Sequence, residues 1–141
     1  GYRFRTFNVV DDWNREILAI DVNGGITAER VIQILDRVAA WRGYPAQVRV
    51  DNGPEFMSTT FEQWAKRHGI KIEFIQPGCP YQNSFIERFN RTYRDDLLDL
   101  YLFETLDEVR QITDDWIRLY NEERPHDSLG DLTPKEYRTA A

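Results

Sequence analysis

The sequence predicts an α/β domain built on a mixed sheet, and three features support that expectation. Strand-like and helix-like segments alternate in the order β-β-α-β-α-β-α-α, with a short helix at the end. The first two strand-like runs flank a polar turn, and the later ones are separated by helical segments. At 141 residues, with 41% apolar and 30% charged positions, the chain can bury a core without disulfides or structural metals.

Residues 4–10 and 16–22 are apolar, β-branched runs on either side of Asp11-Asp12-Trp13-Asn14, so a β-hairpin is expected. Thr27 is placed to cap a helix over residues 28–42. Val31, Ile34, Leu35, Val38 and Trp41 recur there at helical spacing, and Gly43 stands at the C′ position. Residues 47–50 read as a short strand ending at Asp51, and Asn52-Gly53-Pro54 as a turn. Thr59 or Thr60 caps a short helix through His68, closed by Gly69, and residues 70–75 alternate as a strand. Residues 76–82, interrupted by Pro77 and Pro80, form a loop. A long helix is expected from near Asn83 towards Leu100. Thr105-Leu106-Asp107-Glu108 is a capping box for a helix ending near Glu123, before Pro125. Thr133-Pro134-Lys135-Glu136 repeats that signature with proline at the first helical position. With no repeat, linker or low-complexity tract, residues 1–141 read as one domain.

Composition narrows the function classes. A single cysteine, Cys79, excludes an internal disulfide framework, and one Cys with two His cannot close a zinc site. No apolar run is long enough to span a bilayer and no basic segment followed by an apolar one opens the chain, so a cytoplasmic protein without a membrane partner is expected. The net charge of −6 argues against nucleic acid only when taken whole. Residues 96–141 hold five basic against twelve acidic side chains, whereas residues 1–95 are nearly balanced and could carry a local phosphate-binding face.

Two carboxylates stand out. Asp51 ends a strand, Glu87 lies in the long helix, and 35 residues separate them. Carboxylate oxygens at a strand end and on a facing helix suit Mg²⁺, which takes a few such ligands and keeps waters for phosphates. In that helix Ile86, Phe89, Tyr93, Leu97 and Leu100 make an apolar stripe, while Asn83, Glu87, Arg91 and Arg94 share another face. A metal ligand beside a phosphate-gripping surface is one reading of that face, and a solvated surface with a Glu87–Arg91 pair is the other.

Several ordered motifs decide between them. Asn8-Val9-Val10-Asp11-Asp12-Trp13-Asn14-Arg15-Glu16, Asp51-Asn52-Gly53-Pro54-Glu55-Phe56 and Pro77-Gly78-Cys79-Pro80-Tyr81-Gln82-Asn83-Ser84-Phe85-Ile86-Glu87-Arg88-Phe89-Asn90 occur in order. Tyr120-Asn121-Glu122-Glu123-Arg124-Pro125-His126-Asp127-Ser128-Leu129 and Leu132-Thr133-Pro134-Lys135-Glu136 follow. Together they resemble the integrase catalytic core of DDE-type bacterial insertion-sequence transposases, relatives of retroviral integrases. The resemblance implies a ribonuclease H-like mixed sheet flanked by helices, with extra C-terminal helices. It implies Asp51 and Glu87 as the second and third catalytic, metal-binding carboxylates. It further implies Mg²⁺ (Mn²⁺ as substitute) and phosphoryl transfer at DNA, both end cleavage and strand transfer, by a homo-oligomer acting in the bacterial cytoplasm at the nucleoid. Arg91 and Arg94 resemble basic positions that contact DNA in the retroviral relatives, a solvated surface being the alternative, and Tyr81, Gln82 and Asn83, in or beside the loop before Glu87, are candidate DNA contacts or a structural turn.

By the same resemblance, a first catalytic aspartate belongs roughly twenty residues before the Asp-Asp-x-x-Arg segment, whereas the ten residues preceding Asp11 include no acid. The expectation is therefore a core without its first strand and without the helix-turn-helix part of the family, inactive alone and prone to strand rearrangement, dimerisation or poor solubility. Asp11 and Asp12 belong to the hairpin turn rather than to the site. A ribonuclease H-like nuclease without strand transfer and a chain acting only in subunit assembly are the competing readings. His68 is expected at a helix C-terminus, His126 in packing or backbone bonding, and Trp13, Trp41, Trp64 and Trp116 as core or interface anchors.

Overall fold

The computed structural model describes residues 5–75, 84–98 and 105–140, with the backbone alone for residues 84–87, 96 and 127. Strands β1 (Arg5–Val10) and β2 (Ile17–Asn23) form the expected hairpin, antiparallel from Arg5 opposite Asn23 to Val10 opposite Ile17, with an irregularity between Val9 and Val10. Its turn is held by its own polar groups. The Asp11 and Arg15 N–H groups donate to the Glu16 and Asp11 carbonyls (2.8 Å each), and the Trp13 N–H to Asp11 Oδ1 (2.8 Å). Arg15 adopts a φ of 62°, and its guanidinium meets Asp12 Oδ1 at 2.7 Å. Asp11 and Asp12 are thus turn residues, as expected.

Helix α1 (Ala28–Arg42) has the expected bounds. Thr27 Oγ1 accepts from the Arg30 N–H (3.1 Å), and Gly43, at φ 85°, donates to the Ala39 carbonyl. Val31, Ile34 and Val38 are buried, but Trp41 is 56% exposed, so the apolar stripe stops a turn early. Strands β3 (Gln47–Val50) and β4 (Lys71–Phe74) pair in parallel, Gln47 opposite Lys71 and Val50 opposite Phe74, with α2 (Thr59–Arg67) between them in sequence. Helix α1 packs on α2, and α2 on β4. The cap of α2 is Ser58 rather than Thr59 or Thr60. Ser58 Oγ accepts from the Phe61 N–H (3.1 Å) and donates to the Glu55 carbonyl (3.0 Å), which ties the helix start to the preceding loop. Trp64 is buried, and Asp36 Oδ1 accepts from both its Nε1 (2.9 Å) and the Tyr44 hydroxyl (2.8 Å). The hydrogen bond to Asp36 holds the Tyr44 phenol above its usual pKa. Tyr44 also stacks on His68, the C-cap of α2, at 4.0 Å between ring centroids.

Helix α3 (Ser84–Tyr93) passes into a π-helical turn, Arg94–Leu98, where a continuous α-helix was expected. Phe89, Tyr93 and Leu97 are buried along the predicted stripe. Helix α4 (Leu106–Glu122) starts at Thr105, whose Oγ1 accepts from the Glu108 N–H (3.2 Å); it packs on β2, and its Val109, Thr113, Trp116 and Tyr120 are buried. Side chains near both ends of α4 grip the strand. Asn121 Oδ1 accepts from the Ile17 N–H (2.7 Å) while its Nδ2 donates to the Ile17 carbonyl (2.9 Å). Arg110 donates from Nε (3.1 Å) and Nη2 (2.8 Å) to the Val22 carbonyl.

A 3₁₀ turn (Asp127–Leu129) leads to α5 (Pro134–Ala140), which has the predicted capping box in reciprocal form. The Glu136 N–H donates to Thr133 Oγ1 (3.2 Å), and the Thr133 N–H to Glu136 Oε1 (3.0 Å). That bond from Thr133 holds the Glu136 carboxyl below the usual range. His126 bonds through its backbone to Leu132 and sets its ring edge-on to Tyr120, as its packing role requires. Helix α5 closes on the hairpin turn. Asn14, fully buried, donates to Glu16 Oε1 (3.0 Å) and the Pro134 carbonyl (3.3 Å), and Arg138 Nη1 lies 3.3 Å from Glu16 Oε1. Trp13, 52% exposed, meets Tyr137 edge-on.

The chain divides into two compact units, Gly1–Gly24 with Asp99–Ala141, and Gly25–Leu98. Among the described residues the antiparallel and parallel pairings of a mixed sheet are both present, as two two-stranded sheets, β1-β2 and β3-β4. No helix among the described residues is long and apolar enough to cross a membrane.

Candidate active site

Asp51 follows β3 directly, at the C-terminal end of a parallel strand pair, where α/β folds present ligand-binding groups. The loop after it is built to hold that carboxylate out. The Gly53 N–H donates to Asp51 Oδ1 (2.8 Å), and the Gly53 carbonyl accepts from the Phe56 and Met57 N–H groups (3.0 Å each). Asn52 Nδ2 reaches across to the Ile75 carbonyl at the end of β4 (3.4 Å). Phe56 is 8% exposed and sets its ring edge-on to Phe61, with Trp64 stacked beyond. Each residue of the Asp51-Asn52-Gly53-Pro54-Glu55-Phe56 motif except Pro54 therefore has an identifiable part: an exposed carboxylate, a clasp to β4, a close approach, a second carboxylate and an apolar anchor.

Gly53 lies close against two carboxylates. A Cβ there would stand 2.8 Å from Glu55 Oε1 and 2.9 Å from Asp51 Oδ1, so the two carboxylates converge over the glycine. Hard oxygen donors of this kind suit Mg²⁺ or Mn²⁺. They are a partial set, because no group of three or more His, Cys, Asp or Glu able to hold a metal forms among the described residues. Sequence reasoning missed Glu55, although its place four residues after Asp51 across an Asn-Gly-Pro turn was a signal that the chain folds back there.

Glu87 lies in α3, in the same compact unit as Asp51; its side chain is outside the described set. Arg91 is exposed on α3, and Arg94 is exposed on the first residue of the π-helical turn. Arg88, exposed one turn before Arg91, adds a third cation that spacing from Glu87 did not select. Tyr81, Gln82 and Asn83 lie outside the described residues, as do Cys79 and the rest of the 76–82 loop.

Two family models, each described as an integrase core domain, match residues 1–80 and 68–134. The chain belongs to the integrase core domain family. An insertion element IS476 protein of Xanthomonas euvesicatoria is 44% identical to it over 135 residues, which is 96% of this chain and 39% of that protein. The transposase InsF for insertion sequence IS3A of Escherichia coli is 25% identical over 133 residues, 92% of this chain and 46% of that protein. The chain thus spans less than half the length of either relative. Among solved structures, the HTLV-2 integrase catalytic core domain in complex with magnesium, in its dimeric form, superposes with a TM-score of 0.65 at 17% identity, covering 99% of this chain and 86% of that one. The fold of this integrase core is accordingly that of the integrase catalytic cores, the ribonuclease H-like fold anticipated from the motifs.

Proposed function

We propose that this chain is the catalytic core of a DNA transposase and that, in the full-length protein, it takes part in divalent-metal-dependent phosphoryl transfer, first cutting element ends and then joining them to target DNA. The observation that carries this reading is the Asp51 loop. In a chain of the integrase core family, it presents one carboxylate at the end of a parallel strand, oriented by a backbone N–H, with 35 residues between it and Glu87 on α3. Asp51 and Glu87 are the proposed metal ligands. Bound there, Mg²⁺ would neutralise charge at the attacking and leaving oxygens.

The chain's own residues do the positioning. Gly53 and Asn52 fix the Asp51 loop, while Arg91 and Arg94 grip backbone phosphates without reading sequence. Tyr81, Gln82 and Asn83 complete the DNA contacts from the segment ahead of α3. A homo-oligomer acting on DNA at the bacterial nucleoid is part of the same proposal. A second reading, in which the chain serves only subunit assembly, is supported by the dimeric form of the HTLV-2 integrase core that shares its fold.

Nicking and strand transfer on element-end DNA with Mn²⁺, together with Mn²⁺ titration of the protein, test the choice. Asp51→Asn and Glu87→Gln are expected each to weaken Mn²⁺ binding about 10-fold or more and to remove any metal-dependent cutting. Wild type and both variants behaving alike in every metal and DNA assay would replace the catalytic reading with the assembly one. Cutting without joined products would identify a nuclease.

A further inference from the structure

The sequence holds two Asn-Gly dipeptides, Asn23-Gly24 and Asn52-Gly53, and the fold holds them differently. Glycine leaves its backbone nitrogen unhindered and its own conformation free, so this dipeptide is prone to attack of that nitrogen on the asparagine side chain. Asn23 is the last residue of β2, paired with Arg5 at the open end of the ladder. Gly24 and Gly25 follow it, exposed, with nothing within 4 Å of where a Cβ would stand at either. The Gly24 N–H donates to Asn23 Oδ1 at 2.9 Å, which brings the nucleophilic nitrogen up to the side-chain amide. The carbonyl carbon lies one C=O bond, about 1.2 Å, behind that oxygen.

At Asn52 the same groups are drawn apart. The Gly53 N–H points to Asp51 Oδ1 (2.8 Å), and the Asn52 amide is turned to the Ile75 carbonyl (3.4 Å). Ring closure there requires both hydrogen bonds to open.

We propose that Asn23-Gly24 is a site of spontaneous deamidation and isomerisation, and that the clasp from Asp51 to Ile75 protects Asn52-Gly53 from the same reaction. The Gly24 nitrogen bonds to Asn23 Cγ, and the Cγ–Nδ2 bond breaks. Nδ2 departs as ammonia, carrying the proton lost from the Gly24 nitrogen. Water then opens the succinimide at either carbonyl, giving aspartate or isoaspartate. Both products add a carboxylate four residues ahead of Thr27, the cap of α1. Isoaspartate also adds a carbon to the backbone where the chain passes from one compact unit to the other, at Gly24–Gly25.

The test is to age the 141-residue chain at mildly alkaline pH, following both peptides by mass spectrometry and by isoaspartate-specific methyl transfer. The Asn23 peptide is expected to convert about tenfold faster than the Asn52 peptide, since the 2.8 Å bond from the Gly53 N–H and the longer one from the Asn52 amide must both open at the latter. In urea the two should convert at comparable rates, Asn23→Gln should abolish the fast product, and Asp51→Ala should speed conversion at Asn52. Equal rates in the folded chain, or Asn52 converting first, would overturn the proposal. A preference for Asn23 that persists unchanged in urea would overturn the protection by assigning the difference to sequence alone.

Discussion

Replacing Gly53 with alanine separates the stability of the Asp51 loop from its proposed role in holding metal. The added methyl would stand 2.9 Å from Asp51 Oδ1 and 2.8 Å from Glu55 Oε1, about half an ångström inside ordinary contact. Glu55 can swing aside at little cost, because its Oε1 is the far end of a long, flexible side chain. Asp51 is shorter, and moving its oxygen breaks the 2.8 Å bond from the Gly53 N–H. Such a bond to a charge is worth about 1.5–3 kcal/mol when buried, but Asp51 is exposed, so about 0.5–1 kcal/mol is the expected loss. Alanine recovers about 0.4–1 kcal/mol by restricting the unfolded chain. Net stability should therefore barely move, and Tm should stay within about 4 °C of wild type. Metal affinity should not be spared, because a displaced orienting donor typically costs 10–100-fold, about the range expected here. The assay is Mn²⁺ titration beside thermal unfolding, with Gly53→Ala placed also in an Asp51→Asn background. Affinity within about twofold of wild type in a folded Gly53→Ala protein would refute the reasoning. So would an equal further loss when Asp51 is already gone.

Three further outcomes follow from the geometry. Asn121→Asp keeps the acceptor for the Ile17 N–H but sets an oxygen against the Ile17 carbonyl, so it should cost about 2–3 kcal/mol at neutral pH and regain part of that as the new carboxyl protonates; urea titrations at two pH values, each against wild type, check it. Phe56→Ala empties a buried anchor beside Phe61 and should cost about 3–5 kcal/mol, with faster amide exchange across the Asp51 loop. Glu136 has a folded pKa below its unfolded one, so its contribution is full above the unfolded value and is lost as pH falls through the folded value. Glu136→Gln should therefore differ from wild type in stability by a constant amount at neutral pH, and that difference should shrink in acid.

The parts of the fold legible in the sequence are those decided by groups three or four residues apart. Thr27 and Gly43 bound α1 as read, and Thr105 and Thr133 cap α4 and α5, because a hydroxyl and an N–H on adjacent turns need no third partner. The cap of α2 was misplaced for a related reason. Ser58, Thr59 and Thr60 are locally equivalent, and the bond from Ser58 Oγ to the Glu55 carbonyl, with Phe56 packed on Phe61, selects among them. Trp41 fits the helical stripe by spacing, yet it stands at the end of α1 and stays exposed.

The same division runs through the candidate site. Sequence alone determined the family, the strand-end position of Asp51, the helical position of Glu87 and the hairpin role of Asp11 and Asp12, since these rest on ordered motifs and short-range turns. Only the tertiary structure decided that Asn121 and Arg110 hold β2, that Asn14 and Glu16 are buried under α5, and that Glu55 shares the space over Gly53 with Asp51. Partners such as Asn121 and Ile17 lie 104 residues apart in the chain. No local pattern encodes such a pair, because which buried N–H meets which side chain is settled only once the packed elements have excluded water from both.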